Sequence, residues 1–143
     1  ATHMGFIFQQ FNLLPVLTAL ENVELPLLVG KVDATKARTM ARSALDSVGL
    51  GDRYDHRPAE LSGGQQQRVA VARAFVHSPD VILCDEPTGN LDSRTSDEIM
   101  DLLIARNRDE GVTLVIVTHD EEIAARCHRV LHMSDGMMVS EEG

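Results

Sequence analysis

Two short apolar runs, Val81-Ile82-Leu83-Cys84 and Thr113-Leu114-Val115-Ile116-Val117, bracket a helical pattern that extends from Ser93 to Arg108. Runs without polar alternation read as strands buried on both faces. Strand, helix and strand in that order close as a right-handed parallel crossover. The second half of the chain is therefore expected to be α/β. With 143 residues in all, the chain has room for one compact domain and too little for two independent cores.

The first half follows a helical grammar. Gly5 to Phe8 reads as a short strand running into Gln9-Gln10. Thr18 followed by Glu21 has the form of a capping box. After Asp33, an N-cap residue, Ala37, Met40, Ala41, Ala44, Leu45 and Val48 recur at helical spacing, and Gly49 stops the pattern. Ser62 is expected to cap a further helix that ends near Ser78-Pro79. Beyond the second core strand, Glu121 to Arg126 reads as a short helix and Val130 to Met133 as a strand, with Asp135-Gly136 as a turn before Met137 to Val139. Met133, Met137 and Met138 are assigned to core or edge packing, and Glu121-Glu122 and Glu141-Glu142 to solvated charge.

Composition narrows the function classes. Apolar residues make up 43% and charged residues 24%, a globular balance. The formal charge of −9 provides no basic field for a nucleic-acid backbone, so no nucleic-acid partner is expected. No apolar run approaches the roughly 20 residues of a membrane-spanning helix. Cys84 and Cys127 form neither a CxxC pair nor a disulfide framework, and a reducing cytoplasm is the simplest setting. His3, His56, His77, His128 and His132 show no metal-ligand spacing and are read as structural.

Three segments carry chemistry. A helix N-terminus exposes unpaired N–H groups and partial positive charge, and glycine removes the side chains that keep a phosphate away. Ser62, Gly63, Gly64 and Gln65 thus form a phosphate clamp, or else an ordinary capped helix start with glycines for close packing. Asp85 and Glu86 follow a core strand, and carboxylates at such a C-terminal end point into the crevice where α/β sheets bind ligands. One of the pair can hold Mg²⁺ while the other orients or deprotonates a water; the alternative is that Asp85 merely caps the next turn. His119 stands just past the other core strand, within reach of the same phosphate as Glu86, although a lone histidine there is usually structural.

Taken together, these segments resemble the nucleotide-binding domain of an ABC transporter ATPase. Leu61 to Arg68 (LSGGQQQR) match the signature motif, Val81 to Glu86 the Walker B strand, Gly89-Asn90-Leu91-Asp92 the D-loop, His119 the switch histidine and Gln9 the Q-loop glutamine. The resemblance implies a partial P-loop NTPase fold, α/β with a mostly parallel sheet, flanking helices and an α-helical subdomain. It also implies ATP and Mg²⁺ as cofactors. Catalytic roles fall to Glu86, His119 and Gln9, nucleotide contacts to Ser62, Gly63, Gly64, Gln65 and Asp92, and the metal to Asp85 and Gln9. The stretch FNLLPVLTALENVELPL, from Phe11 to Leu27, resembles the subgroup that serves lipoprotein-releasing and macrolide-exporting systems.

One family motif is missing from this sequence. The phosphate-gripping pattern GxxxxGK[ST] would need a hydroxyl after Gly30-Lys31 and a glycine at Leu25, but Val32 follows. The chain accordingly resembles the later part of such a domain, truncated at its N-terminus. Residues 1–11 correspond to the Q-loop strand and the start of a linker, 12–78 to a helical subdomain with the signature and its helix, and 79–143 to the second half of the ATPase core. The partners implied are a transmembrane permease, docked between about Asn12 and Glu60, and a second nucleotide-binding domain. That places the protein at the cytoplasmic face of a membrane. Weak ATP binding, little hydrolysis by the chain alone, and self-association through uncovered strands are expected. A non-catalytic interaction piece is the alternative. DNA-repair relatives carry long coiled coils between the Q-loop and the signature, which the stretch from Gln10 to Glu60 lacks.

Overall fold

The computed structural model describes residues 4–142, so His3 and the first three residues of the 1–11 segment lie outside the described residues. Strand β1 (Met4–Phe8) leads through a loop to helices α1 (Ala19–Val29), α2 (Ala34–Ser47) and α3 (Gly63–Phe75). Then come β2 (Val81–Asp85), α4 (Ser93–Glu110), β3 (Thr113–Val117), α5 (Glu121–Ala124) and a hairpin of β4 (Val130–Ser134) and β5 (Met137–Glu142). The three long-range strands form a parallel sheet in the order β1-β2-β3, and the hairpin is a separate antiparallel pair. The fold is α/β, with a mostly parallel sheet and flanking helices.

Local chemistry explains where the helices begin. The Thr18 hydroxyl accepts from the Glu21 amide while the Glu21 carboxylate accepts from the Thr18 amide, a reciprocal capping box. Asp33 accepts from the Thr35 and Lys36 amides at the start of α2. Ser62 and Gln65 form a second box at α3. Helix α3 ends at Phe75, short of Ser78-Pro79, because the chain turns at Ser78 with φ +53°. Gly30-Lys31, the sequence's Gly-Lys pair, closes α1: the Gly30 amide donates to Pro26 O, and Lys31 has φ +65°.

The core lies on one side of the sheet. Ile7, Ile82 and Cys84 are fully buried there with Val69, Ile99 and Leu103. Helix α3 packs so closely on β1 that a Cβ at Gly5 would stand 2.7 Å from Ala74 O, hence the glycine. The expectation that Val81–Cys84 and Thr113–Val117 are buried on both faces is corrected. Val81 and Leu83 on β2 are only half-buried, Val115 and Val117 on β3 are 45% and 51% exposed, and Phe6 on the neighbouring β1 is exposed as well. The physical reason is coverage: among the described residues, helices flank only the face that carries Ile7, Ile82 and Cys84. Met133, Met137 and Met138 are likewise exposed rather than packed, since the hairpin rests on no core. Glu141 is exposed, as expected of solvated charge, and pairs with Arg129 at 2.6 Å.

Candidate functional site

Parallel pairing sets Phe8, Asp85 and Val117 side by side, so the loops leaving β1, β2 and β3 emerge at one end of the sheet. Glu86 extends the ladder by one residue, its amide donating to Val117 O at 2.8 Å. Its backbone then turns into the left-handed region, φ +48°, which a residue with a Cβ enters only at an energetic cost. The turn aims the carboxylate across the tip of β3. There Glu86 Oε1 accepts from the His119 amide at 3.2 Å and stands 2.6 Å from His119 Nδ1. The glutamate side chain is 21% exposed and the imidazole 93%, so the acid is recessed and the histidine sits at the rim.

Gln9 approaches from β1. Its Nε2 donates to Asn90 Oδ1 at 3.2 Å, and Asn90 Nδ2 donates back to Gln9 O at 3.0 Å. Gly89 lies beneath this pair; a Cβ there would stand 2.6 Å from Gln9 Nε2, so any side chain would displace the glutamine. Gln9, Glu86, Gly89 and His119 line one cleft of about 610 Å³ between the strand tips, α4 and α5. Arg126, also on its wall, pairs with Asp101 at 2.5 Å.

Other expected site residues lie elsewhere. By strand alternation Asp85 shares the open face of the sheet with Leu83 and Val81, and it is not part of the cleft lining. Ser62, Gly63, Gly64 and Gln65 form the start of α3, outside the cleft lining. Within that tetrad Gly64 has a packing role: a Cβ would stand 2.5 Å from Thr95 Cγ2 on α4. Gly63 and Gly64 are the first two residues of α3, so their N–H groups have no acceptor within the helix. Asp92 caps α4, and hydrogen bonds from Thr95, the side chain foremost, hold its carboxyl below the usual carboxylate range. Next to the site, burial pushes the Cys84 thiol up to about 12.

Sequence reasoning missed two residues of α3 that touch the loops of the site. Gln67, fully buried, donates to Phe8 O and Pro87 O, and Arg73 donates to Phe11 O and Asn12 O. A run of three glutamines on a helix gives no hint which one turns inward.

Residues 1–89 match the profile of the family described as ABC transporter. The chain belongs to that family. It is 55% identical over 141 residues to YbbA of Escherichia coli K12, an ABC transporter ATP-binding protein, covering 99% of this chain and 62% of that one. LolD of Syntrophotalea carbinolica, the ATP-binding protein of a lipoprotein-releasing system, is 56% identical over 93% of this chain and 59% of its own length. The macrolide export protein MacB 1/2 of Paracoccus denitrificans is 54% identical over 96% of this chain and 20% of its own length. Among solved structures, the ATP-binding cassette MJ0796, a dimer bound to ADP and Pi, superposes with a TM-score of 0.85 at 47% identity, covering 99% of this chain and 62% of that one. The chain thus spans about three fifths of the length of the ABC cassettes it matches. Among the described residues no helix is long and apolar enough to cross a membrane.

Proposed function

We propose that the chain is the signature-bearing part of an ATP-hydrolysing subunit that powers transport through a membrane permease. The observation that carries this reading is the recessed Glu86 carboxylate, turned by its left-handed backbone toward His119 in the cleft that Gln9 also lines. Glu86 Oε1 is engaged by two nitrogens of His119, so Oε2 is the oxygen that takes a proton from an attacking water. His119, at the rim, contacts the terminal phosphate, and Gln9, fixed by Asn90, orients the water. Phosphoryl transfer asks for positioning and charge stabilisation rather than covalent chemistry, which suits such a set.

ATP and Mg²⁺ are the ligands this reading implies. Mg²⁺ is ordinarily held by one or two carboxylates together with substrate phosphates, and Asp85, outside the cleft lining but beside Phe8 at the same end of the sheet as Gln9, would supply a protein ligand together with Gln9. When bound, it neutralises charge on the phosphates. Ser62, Gly63, Gly64 and Gln65 present helix-start amides to the phosphates held by a second nucleotide-binding domain, with Asp92 nearby at the start of α4. The permease docks on the helical segment between Asn12 and Glu60, where Val16, Leu28 and Val29 stand exposed, at the cytoplasmic face of the membrane. The 143 residues contain no GxxxxGK[ST] loop, so the chain alone grips ATP weakly and turns over little or none. That missing loop also favours the second reading, a non-catalytic interaction piece.

Mixing the chain with a full-length relative whose own signature serine is replaced separates the two. Phosphate release is expected to rise about tenfold or more over either protein alone, and Ser62→Arg to return it to background. Glu86→Gln is expected to leave the mixture within about twofold, because Glu86 faces a nucleotide this chain does not grip. No rise in the mixture supports the interaction piece. Robust turnover by the chain alone, abolished by Glu86→Gln, overturns the division of labour.

A further inference from the structure

Phe11 and Asn12, just after Gln9, both lie in the left-handed region, with φ +66° and +53°. Asparagine tolerates this conformation, but phenylalanine does not without support, so something must hold the loop. The support comes from α3. Arg73 Nη2 donates to Phe11 O at 2.9 Å and Arg73 Nη1 to Asn12 O at 2.8 Å, a two-pronged grip on successive carbonyls. Half-buried beneath the loop, the guanidinium is drawn below its ordinary pKa by desolvation, which marks a charge kept out of water with neutral carbonyls as its partners.

The other side of Gln9 is held from the same helix. Gln67 Nε2 donates to Phe8 O at 3.1 Å and to Pro87 O at 2.5 Å. Both neighbours are acceptors, so the amide can stand only with its nitrogen toward them, and Oε1 is buried without a partner among the described residues. One amide group thereby joins the residue before Gln9 to the residue after Glu86. A buried donor of this kind is expensive to lose, because two carbonyls would be left unsatisfied.

We infer that Gln67 and Arg73 are positioning residues that fix Gln9 relative to Glu86 by bracketing its loop from α3, the helix that begins at Ser62. The inference rests on the proposed role of Gln9 in an ATP cleft. Its mechanical content, that α3 sets the path of residues 8–12, stands on the hydrogen bonds alone. A shift of α3 at its Ser62 end therefore carries the Gln9 loop with it.

The test uses the 143-residue chain without nucleotide and reads amide hydrogen exchange together with the side-chain amide NMR signals of Gln9 and Asn90. In Arg73→Gln, the Phe11 and Asn12 amides are expected to exchange about tenfold faster, and the Gln9 and Asn90 signals to move toward those of free amides, with α2 protection unchanged. Arg73→Lys, which keeps the charge but offers one compact donor, is expected to fall between wild type and Arg73→Gln. Unchanged exchange at Phe11 and Asn12 with unmoved Gln9 signals would overturn the inference. If Arg73→Gln does not fold, Arg73→Lys carries the test; loss of protection throughout α2 in both variants would assign Arg73 to global stability and overturn it equally. Since no nucleotide is present, a loop response without rescue in the mixed ATPase assay would sink the ATPase reading and leave this one standing.

Discussion

Among the residues lining the cleft, Glu86 alone has a positive φ. Holding a side chain there costs on the order of 1 kcal/mol, offset by the hydrogen bonds that the Glu86 amide donates to Val117 O and the Gly89 amide donates to Glu86 O. Strain at a carboxylate that a chemical step would use is the pattern expected where activity and stability compete. Asparagine enters the left-handed region more readily, so Glu86→Asn is expected to raise the unfolding free energy by about 0.5–1 kcal/mol in urea titration. A loss of about 1 kcal/mol or more would show that the contacts with His119 outweigh the strain. The position of Glu86 was legible in the sequence as the end of an apolar run; its backbone conformation was not, since the Val117 carbonyl that holds it lies far along the chain.

Helix α4 shows how one cap ties an element to pH. Hydrogen bonds from Thr95 hold the Asp92 carboxyl below its ordinary range. A carboxyl depressed on folding favours the folded state while ionised, above about pH 4, and that contribution is lost as pH falls through the lowered value. Asp92→Asn still accepts from the Thr95 amide but carries no charge, so its urea midpoint is expected to fall less between pH 7 and pH 3 than that of the wild type. An identical acid dependence would remove Asp92 from the linkage. Capping at Thr18, Asp33 and Ser62 could be read from the sequence because a cap and its amides lie within three residues. Gln67 and Arg73 could not: their acceptors lie 59 to 62 residues away along the chain for Phe8, Phe11 and Asn12, and only the packing of α3 against β1 brings them together.

At the scale of the molecule, the sheet has one covered face and one open face, and this limited what the sequence could say about β2 and β3. Apolar content marks a strand, but burial depends on what lies against it, and helices flank only the face of Ile7, Ile82 and Cys84. The open face carries Phe6, Val115 and Val117, in a chain that spans 62% of relatives such as YbbA. On the account proposed here, the two functional ends of the chain serve different nucleotides: the cleft of Gln9, Glu86 and His119 on one hand, the start of α3 on the other. Amide NMR of Gly63 and Gly64 tests this most directly, with the chain isotopically labelled and a full-length LolD and a non-hydrolysable Mg-ATP analogue added singly and together. Shifts at Gly63 and Gly64 are expected only when both are present. Amides there that stay unmoved in the complete mixture, or that move with the analogue alone, would contradict this reading.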